Sequence, residues 1–179
     1  AVNERLRALG GLGDKHVPEA YLTASAGQRL SLLQGLMDTD GFASAGQGQA
    51  EFCTTRRVLA DAVLYLARSL GWKATVKEAD ATLDGRVIGP KWRVMWTPGP
   101  DGMIPFRLAR KANRIRTSRS RVRPTEPSIV SIEQVDSRPV RCITVDREDA
   151  LYLAGRDLVP THNSTISDAL AAVAGKRQG

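Results

Sequence analysis

The decapeptide Leu-Leu-Gln-Gly-Leu-Met-Asp-Thr-Asp-Gly at residues 32–41 restricts the fold of this chain more than any other stretch. Leu32, Leu33 and Leu36 share one face of a helix, which must be covered, and Gly35 lets a second helix approach closely. Asp38 and Asp40 then fall in the last turn, where the helix dipole is already negative. That placement costs stability unless a cation lies nearby. Gly41 ends the helix. Taken alone, the pattern also suits an ordinary amphipathic helix with a solvated acidic end.

The flanking sequence supplies partners for such a helix. Residues 45–49 read as a hairpin turn and 50–54 as a short strand. From Thr55 as N-cap a second helix runs to about Leu70, with Val58, Leu59, Ala62, Val63, Leu66 and Leu70 on its buried face and Gly71 as C-cap. Two strands follow, near 72–79 and 86–97, and Asp84-Gly85 suits the turn between them. Lys73, Thr75 and Lys77 alternate with Ala74 and Val76, so polar groups line one sheet face. That face either tracks phosphates or is simply solvated. Upstream, Leu6 and Leu9 have helical spacing before Gly10-Gly11, and Lys15-His16-Val17-Pro18 reads as a polar turn.

Composition sets broader bounds. At 179 residues the chain holds one domain or two small ones, and 26 Lys and Arg against 19 acids favour a nucleic-acid partner. Cys53 and Cys142 form neither a disulfide framework nor a metal-ligand spacing. No apolar run approaches about 18 residues and no signal peptide opens the chain, so a cytoplasmic protein without membrane contact is expected. Residues 107–123 hold eight basic residues and no acid. With Pro124 and Pro127 they read as a basic linker over 107–127, able also to contact phosphates. Strand-like alternation resumes at residues 128–132.

A second informative stretch is Pro-Val-Arg-Cys-Ile-Thr-Val to Pro-Thr-His-Asn-Ser, residues 139–164. An Asn amide can attack its own carbonyl, closing a succinimide and cutting the following peptide bond if an acid protonates the departing amine. His162 is placed beside Asn163 for that role, and Ser164 offers a hydroxyl nucleophile at the cut bond. Blander accounts exist: His-Asn-Ser makes a turn, Asn163-Ser164-Thr165 matches a glycosylation sequon, and Thr165 with Asp168 makes a helix capping box.

Both stretches resemble known families. Gly35, Leu36, Asp38, Asp40 and Gly41 fall in place with the dodecapeptide of LAGLIDADG homing endonucleases. The resemblance implies an αββαββα-type endonuclease half over residues 1–106, double-stranded DNA as partner, and Asp40 as ligand of a catalytic Mg2+. Lys15-His16-Val17-Pro18 resembles the Lys-x-x-Pro segment between the two dodecapeptides of intein-borne members. Lys15 therefore joins the catalytic candidates, and a first dodecapeptide is expected upstream of this sequence. Lys73, Lys77, Arg86, Lys91, Arg93, Arg110 and Lys111 are the expected DNA contacts. The overall class is α+β, with all-β Hint-type strands after the endonuclease half.

Residues 128–163 resemble the C-terminal splicing region of inteins, through Val140, Thr144, Val145, Tyr152 to Gly155, and His162-Asn163-Ser164. Cys142 stands where most inteins carry Asp, and Thr161 precedes His162, as in class 3 inteins. On that resemblance Cys142 is the branch-point nucleophile, Thr161 belongs to the same set, Asn163 cyclises and Ser164 accepts the acyl group. Splicing itself needs no cofactor. Ala150 occupies the position of a His found in many inteins, and the expected Trp should come from an upstream half, which is then a further partner. Residues 164–179 read as a stub of the host, the downstream extein, completing a P-loop ATPase such as a phage terminase or replicative helicase. A different class of answer is a non-catalytic DNA-binding α/β module or an inactive endonuclease relic. A Hedgehog-like autoprocessing domain is disfavoured by the terminal Asn-Ser.

Overall fold

The computed structural model describes residues 15–46, 48–99, 102–115, 131–139, 143, 145, 146 and 148–162, together with Glu4 and Arg7. It is a mixed α+β structure with antiparallel sheets, divided into two compact units between Thr125 and Glu126. The helix expected over residues 3–12 lies almost wholly outside the described residues.

The first unit runs α1 (Glu19–Leu22), α2 (Ala26–Asp40), β1 (Gly41–Ala43), β2 (Ala50–Thr54), α3 (Arg57–Ser69), β3 (Thr75–Leu83), β4 (Arg86–Trp96) and α4 (Ala109–Ala112). Helix α2 starts at Ala26 because Ser25 and Gln28 form a capping box, each satisfying the other's backbone N–H. Leu33 and Met37 are fully buried, while Leu32 and Leu36 are half-covered. Helix α3 has no side-chain cap; Arg56 precedes it, its N–H donating to the Thr54 hydroxyl. Val58, expected inside, is 61% exposed, and Ala60 and Ala67 are buried in its place. The buried stripe is thus rotated, because small alanines let α3 lie close against the sheet. The helix ends in a Schellman motif: Gly71 at φ +86 lets its own N–H reach Arg68 O and the Trp72 N–H reach Ala67 O.

The four strands form one sheet in the order β1-β2-β4-β3. Strand β1 was not evident from sequence; three residues carry little periodicity, and pairing Gly41 with Phe52 and Ala43 with Ala50 creates it. The β3–β4 hairpin turns at Asp84-Gly85, both at positive φ. Phe52, Val94 and Trp96 point from the inner face into a core with Leu33, Met37, Val63 and Leu66, and Trp72 stacks on Trp96 at 6.1 Å. Nonadjacent pieces complete it: Phe106 and Ile115, beyond the sheet, are 3% and 7% exposed. The chain expected as a linker from residue 107 is therefore, through Ile115, part of this fold.

In the second unit β5 (Leu151–Ala154) pairs antiparallel with β6 (Val159–His162), setting Tyr152 opposite Thr161 and Leu151 opposite His162. The alternation at 128–132 does not produce a strand in its described part. Residues 131–139 are exposed and irregular, since no partner strand lies beside them among the described residues. No described helix is long and apolar enough to cross a membrane.

Gly41 joins α2 directly to β1, and a Cβ there would lie 2.6 Å from Met37 O and 2.7 Å from Met37 Cα. Backbone cannot yield as a flexible side chain does, so Gly41→Ala should lower stability by about 2 kcal/mol. Urea unfolding of the variant should show a lower midpoint at unchanged slope; a wild-type midpoint would contradict this packing.

Candidate functional site

The acidic end of α2 is held by a strap formed by residues 104–111. Asp38 accepts from the backbone N–H of Arg107, at 3.1 and 3.2 Å, and of Leu108, at 3.1 Å. The Arg107 guanidinium lies along the same helix, donating to Gln34 Oε1 and Ser31 Oγ, both at 2.9 Å, and Gln34 Nε2 donates to Ile104 O. Lys111 closes the end: its ammonium donates to the carbonyls of Met37 at 2.9 Å, Asp38 at 2.8 Å and Gly41 at 2.6 Å. The Asp38 carbonyl is one that a helix C-terminus leaves without an intrahelical partner, the Met37 carbonyl also accepts the capping N–H of Gly41, and the Gly41 carbonyl opens β1. Desolvation at this corner and the neighbouring Arg110 hold the Lys111 pKa below the ordinary lysine value, against the opposing pull of Asp38 and Asp40.

The two acids are thereby divided in role. Asp38 is consumed by backbone donors, whereas Asp40 is exposed and its carboxylate accepts no hydrogen bond among the described residues. Asp40 is a hard oxygen donor at the negative end of a helix, which fits a divalent cation. No group of three or more His, Cys, Asp or Glu gathers among the described residues. A cation at Asp40 would therefore complete its shell with oxygens from water, from a phosphate or from a second unit. Lys15 is exposed, in the turn before α1.

The outer sheet face is the other polar surface. Cross-strand pairing aligns Cys53, Arg93 and Lys77 in one row and Lys91 with Ala79 in the next, and none of these residues is buried. Arg93 and Lys77 are like charges directly opposite, an unfavourable pair unless compensated. Glu51 supplies the compensation: Arg93 Nε and Nη2 each donate to its carboxylate at 2.7 Å, which raises the Arg93 pKa. Lys73 and Arg86 are exposed at opposite ends of the β3–β4 hairpin. Of the expected DNA contacts, Lys77, Lys91 and Arg93 are thus brought together. Lys111 is not on that surface: its donors face the end of α2.

Glu51 and Arg107 were missed from sequence. Acids in the last helical turn signalled that some cation was required, but the Lys111 that meets them lies 70 positions beyond Gly41. Of the splicing candidates, Thr161 and His162 sit on β6, and the Thr161 hydroxyl donates to Val159 O at 3.1 Å. Cys142, Asn163 and Ser164 lie outside the described residues.

A helix of this sequence, ending in Asp-x-Asp-Gly and feeding straight into the first strand of a β-β-α-β-β unit, is the arrangement against which relatives can be compared. A family profile described as a LAGLIDADG-like domain matches residues 27–95. The match runs from the first turn of α2 almost to the end of β4 and includes Asp40. The chain is also 39% identical over 164 residues to a replicative DNA helicase DnaB of Mycobacterium intracellulare, covering 90% of this chain and 28% of that protein. It is 60% identical over 38 residues to a replicative DNA helicase DnaB of Mycobacterium leprae (strain TN), covering 21% of this chain and 6% of that protein.

Replacing Lys111 by Met removes charge-assisted hydrogen bonds and exposes the acidic helix end to its own dipole. Lys111→Met should cost about 2–3 kcal/mol, measured by thermal or urea unfolding, while Lys77→Met on the open sheet face should stay within about 0.5 kcal/mol. Equal effects would contradict the different roles assigned to the two lysines.

Proposed function

We propose that the chain is part of an intein set in a replicative DNA helicase, combining one LAGLIDADG unit of a homing endonuclease with C-terminal splicing strands. The observation that carries this reading is a coincidence of two similarities. The chain matches a helicase over 90% of its length, yet residues 27–95 match a LAGLIDADG-like domain. An insertion within a helicase explains both. The relatives favour a helicase over a terminase as host.

In this reading the first unit is one half of the nuclease. Gly35 is exposed with nothing within 4 Å of where a Cβ would stand, which leaves α2 open to the matching helix of a second unit. Asp40 would be a ligand of Mg2+, an ion that when bound would supply activation of water and stabilisation of the phosphate leaving group. Asp38 and Lys111 fix the helix end that aims Asp40, and Lys15 contributes from the turn before α1. Lys77, Lys91 and Arg93 meet DNA on the outer sheet face, with Lys73 and Arg86 at the ends of its hairpin, and Arg110 contributes from α4.

The second unit performs splicing with residues 128–163. The Cys142 thiolate attacks the upstream scissile carbonyl, expelling the amine of the peptide bond and holding the upstream extein as a thioester. Ser164 Oγ takes the acyl group and frees the thiol. The Asn163 side-chain nitrogen then attacks its own carbonyl carbon, closing a succinimide as the Ser164 amine departs with a proton from His162. Thr161 belongs to the same reactive set as Cys142. The hairpin that ends in Thr161 and His162 supports this reading, because β-pairing with Tyr152 and Leu151 holds both residues in fixed register. Leu153 is 53% exposed on that hairpin and Ile132 is 87% exposed before it, surfaces suited to cover by the upstream splicing half.

Co-expression with the upstream half should yield ligated exteins and a fragment ending at Asn163 by intact mass spectrometry. Asn163→Ala should stop release of the downstream extein, and Cys142→Ala should stop transfer of the upstream one. Folded, associated halves that leave the bond after Asn163 intact would remove splicing from the account. For the nuclease, Asp40→Asn in the reconstituted enzyme should abolish cleavage with DNA affinity kept. Unchanged cleavage would exclude Asp40 as metal ligand; affinity without cleavage in the wild type would favour a non-catalytic DNA-binding module.

A further inference from the structure

The first unit contains a cavity of about 160 Å3 lined by Gly41, Phe42, Ala43, Arg110, Lys111 and Arg114. One wall is strand β1, which begins immediately after Asp40; the opposite wall is α4 and the turn that follows it. No acidic side chain lines the cavity. Lys111 has turned its ammonium toward the carbonyls at the end of α2, so it forms the back of the cavity. Arg110 and Arg114 remain. They are exposed, Arg110 on α4 and Arg114 in the turn after it, and neither guanidinium makes an ion pair or hydrogen bond among the described residues.

Three cationic side chains, Arg110, Lys111 and Arg114, therefore line one small cavity, and with the Lys111 ammonium given to the α2 carbonyls the two guanidinium groups are left for an anion. A guanidinium presents its donors in a planar fork that matches carboxylate and phosphate oxygens alike, and for a DNA-binding unit the anion at hand is a backbone phosphodiester. Phe42, 55% exposed at the lip, adds a flat apolar surface of the kind on which a sugar or base rests.

We propose that this cavity is a phosphate subsite, in which Arg110 and Arg114 hold a backbone phosphate of the DNA strand passing Asp40, with Phe42 against the adjoining nucleotide. The inference rests on the DNA-binding reading of the first unit. It gives that unit an anchor on the strand beside Asp40, separate from the outer-face residues Lys77, Lys91 and Arg93.

The test measures binding of the full chain to several unrelated fluorescent duplexes across a salt series, without magnesium. Arg110→Gln with Arg114→Gln should weaken binding to every duplex by a similar factor, about tenfold to fiftyfold at 0.1 M salt. The slope of log affinity against log salt should fall by about one to two. The double Lys variant, R110K with R114K, should restore the slope, and Arg57→Gln, which removes a guanidinium already paired with Asp61, should leave it unchanged. Wild-type affinity and slope in the double Gln variant would overturn the subsite while leaving DNA binding intact. A loss confined to one duplex would also overturn it, since that marks a base contact. Failure of the wild-type chain to bind any duplex would overturn the DNA reading and the subsite together.

Discussion

A single ammonium group at the C-terminus of α2 reconciles two requirements that oppose one another. The helix must end in acids if Asp40 is to meet a cation, yet acids at a negative helix end are destabilising. Lys111 resolves this by bonding to the carbonyls, so the dipole is countered while Asp40 is left unencumbered. The neighbouring backbone N–H groups neutralise Asp38 in the same stroke. Everything that brings Lys111 to this point, including buried Phe106 and Ile115 on either side of it, serves the geometry of one exposed carboxylate.

The sheet shows a comparable division of charge. Its inner face is closed by Phe52, Val94 and Trp96, and the outer face keeps a positive balance without an internal quarrel because Glu51 fixes the one arginine that opposes a lysine. An Arg tied along its Nε–Nη2 edge retains donors on the remaining edge, so pairing restricts its direction without silencing it. Rigidity and charge are supplied by different residues. The same separation recurs at α2, where Lys111 holds and Asp40 presents.

Local chemistry made much of this legible in the sequence, and distance along the chain hid the rest. The α2 helix, the strand at Ala50–Thr54, the Asp84-Gly85 turn and the Gly71 terminus follow from periodicity and backbone preference, which act within a few residues. The rotation of α3 that exposes Val58 depends on which neighbours it meets, and β1 depends on a partner strand. Lys111 carried no signal of its own, since within a run of basic residues it is indistinguishable from Arg110, and only the fold decides which of the two turns inward. The set proposed around Asn163 rests on sequence, since Cys142, Asn163 and Ser164 lie outside the described residues and the structure adds only the register of Thr161 and His162 on β6.

The strap also bears on where the first unit ends. Residues 104–115 complete the core of the first unit, with Phe106, Ile115 and the clasp at Lys111 among them, and the same covalent segment leads on to the second. The second unit cannot be separated cleanly from the first by cutting where the sheet ends, at Trp96, or where the basic run starts, at Arg107. Either cut would leave behind a piece of polypeptide whose apolar side chains had lost their only covered position. Any cut that separates the two units has to fall beyond Ile115.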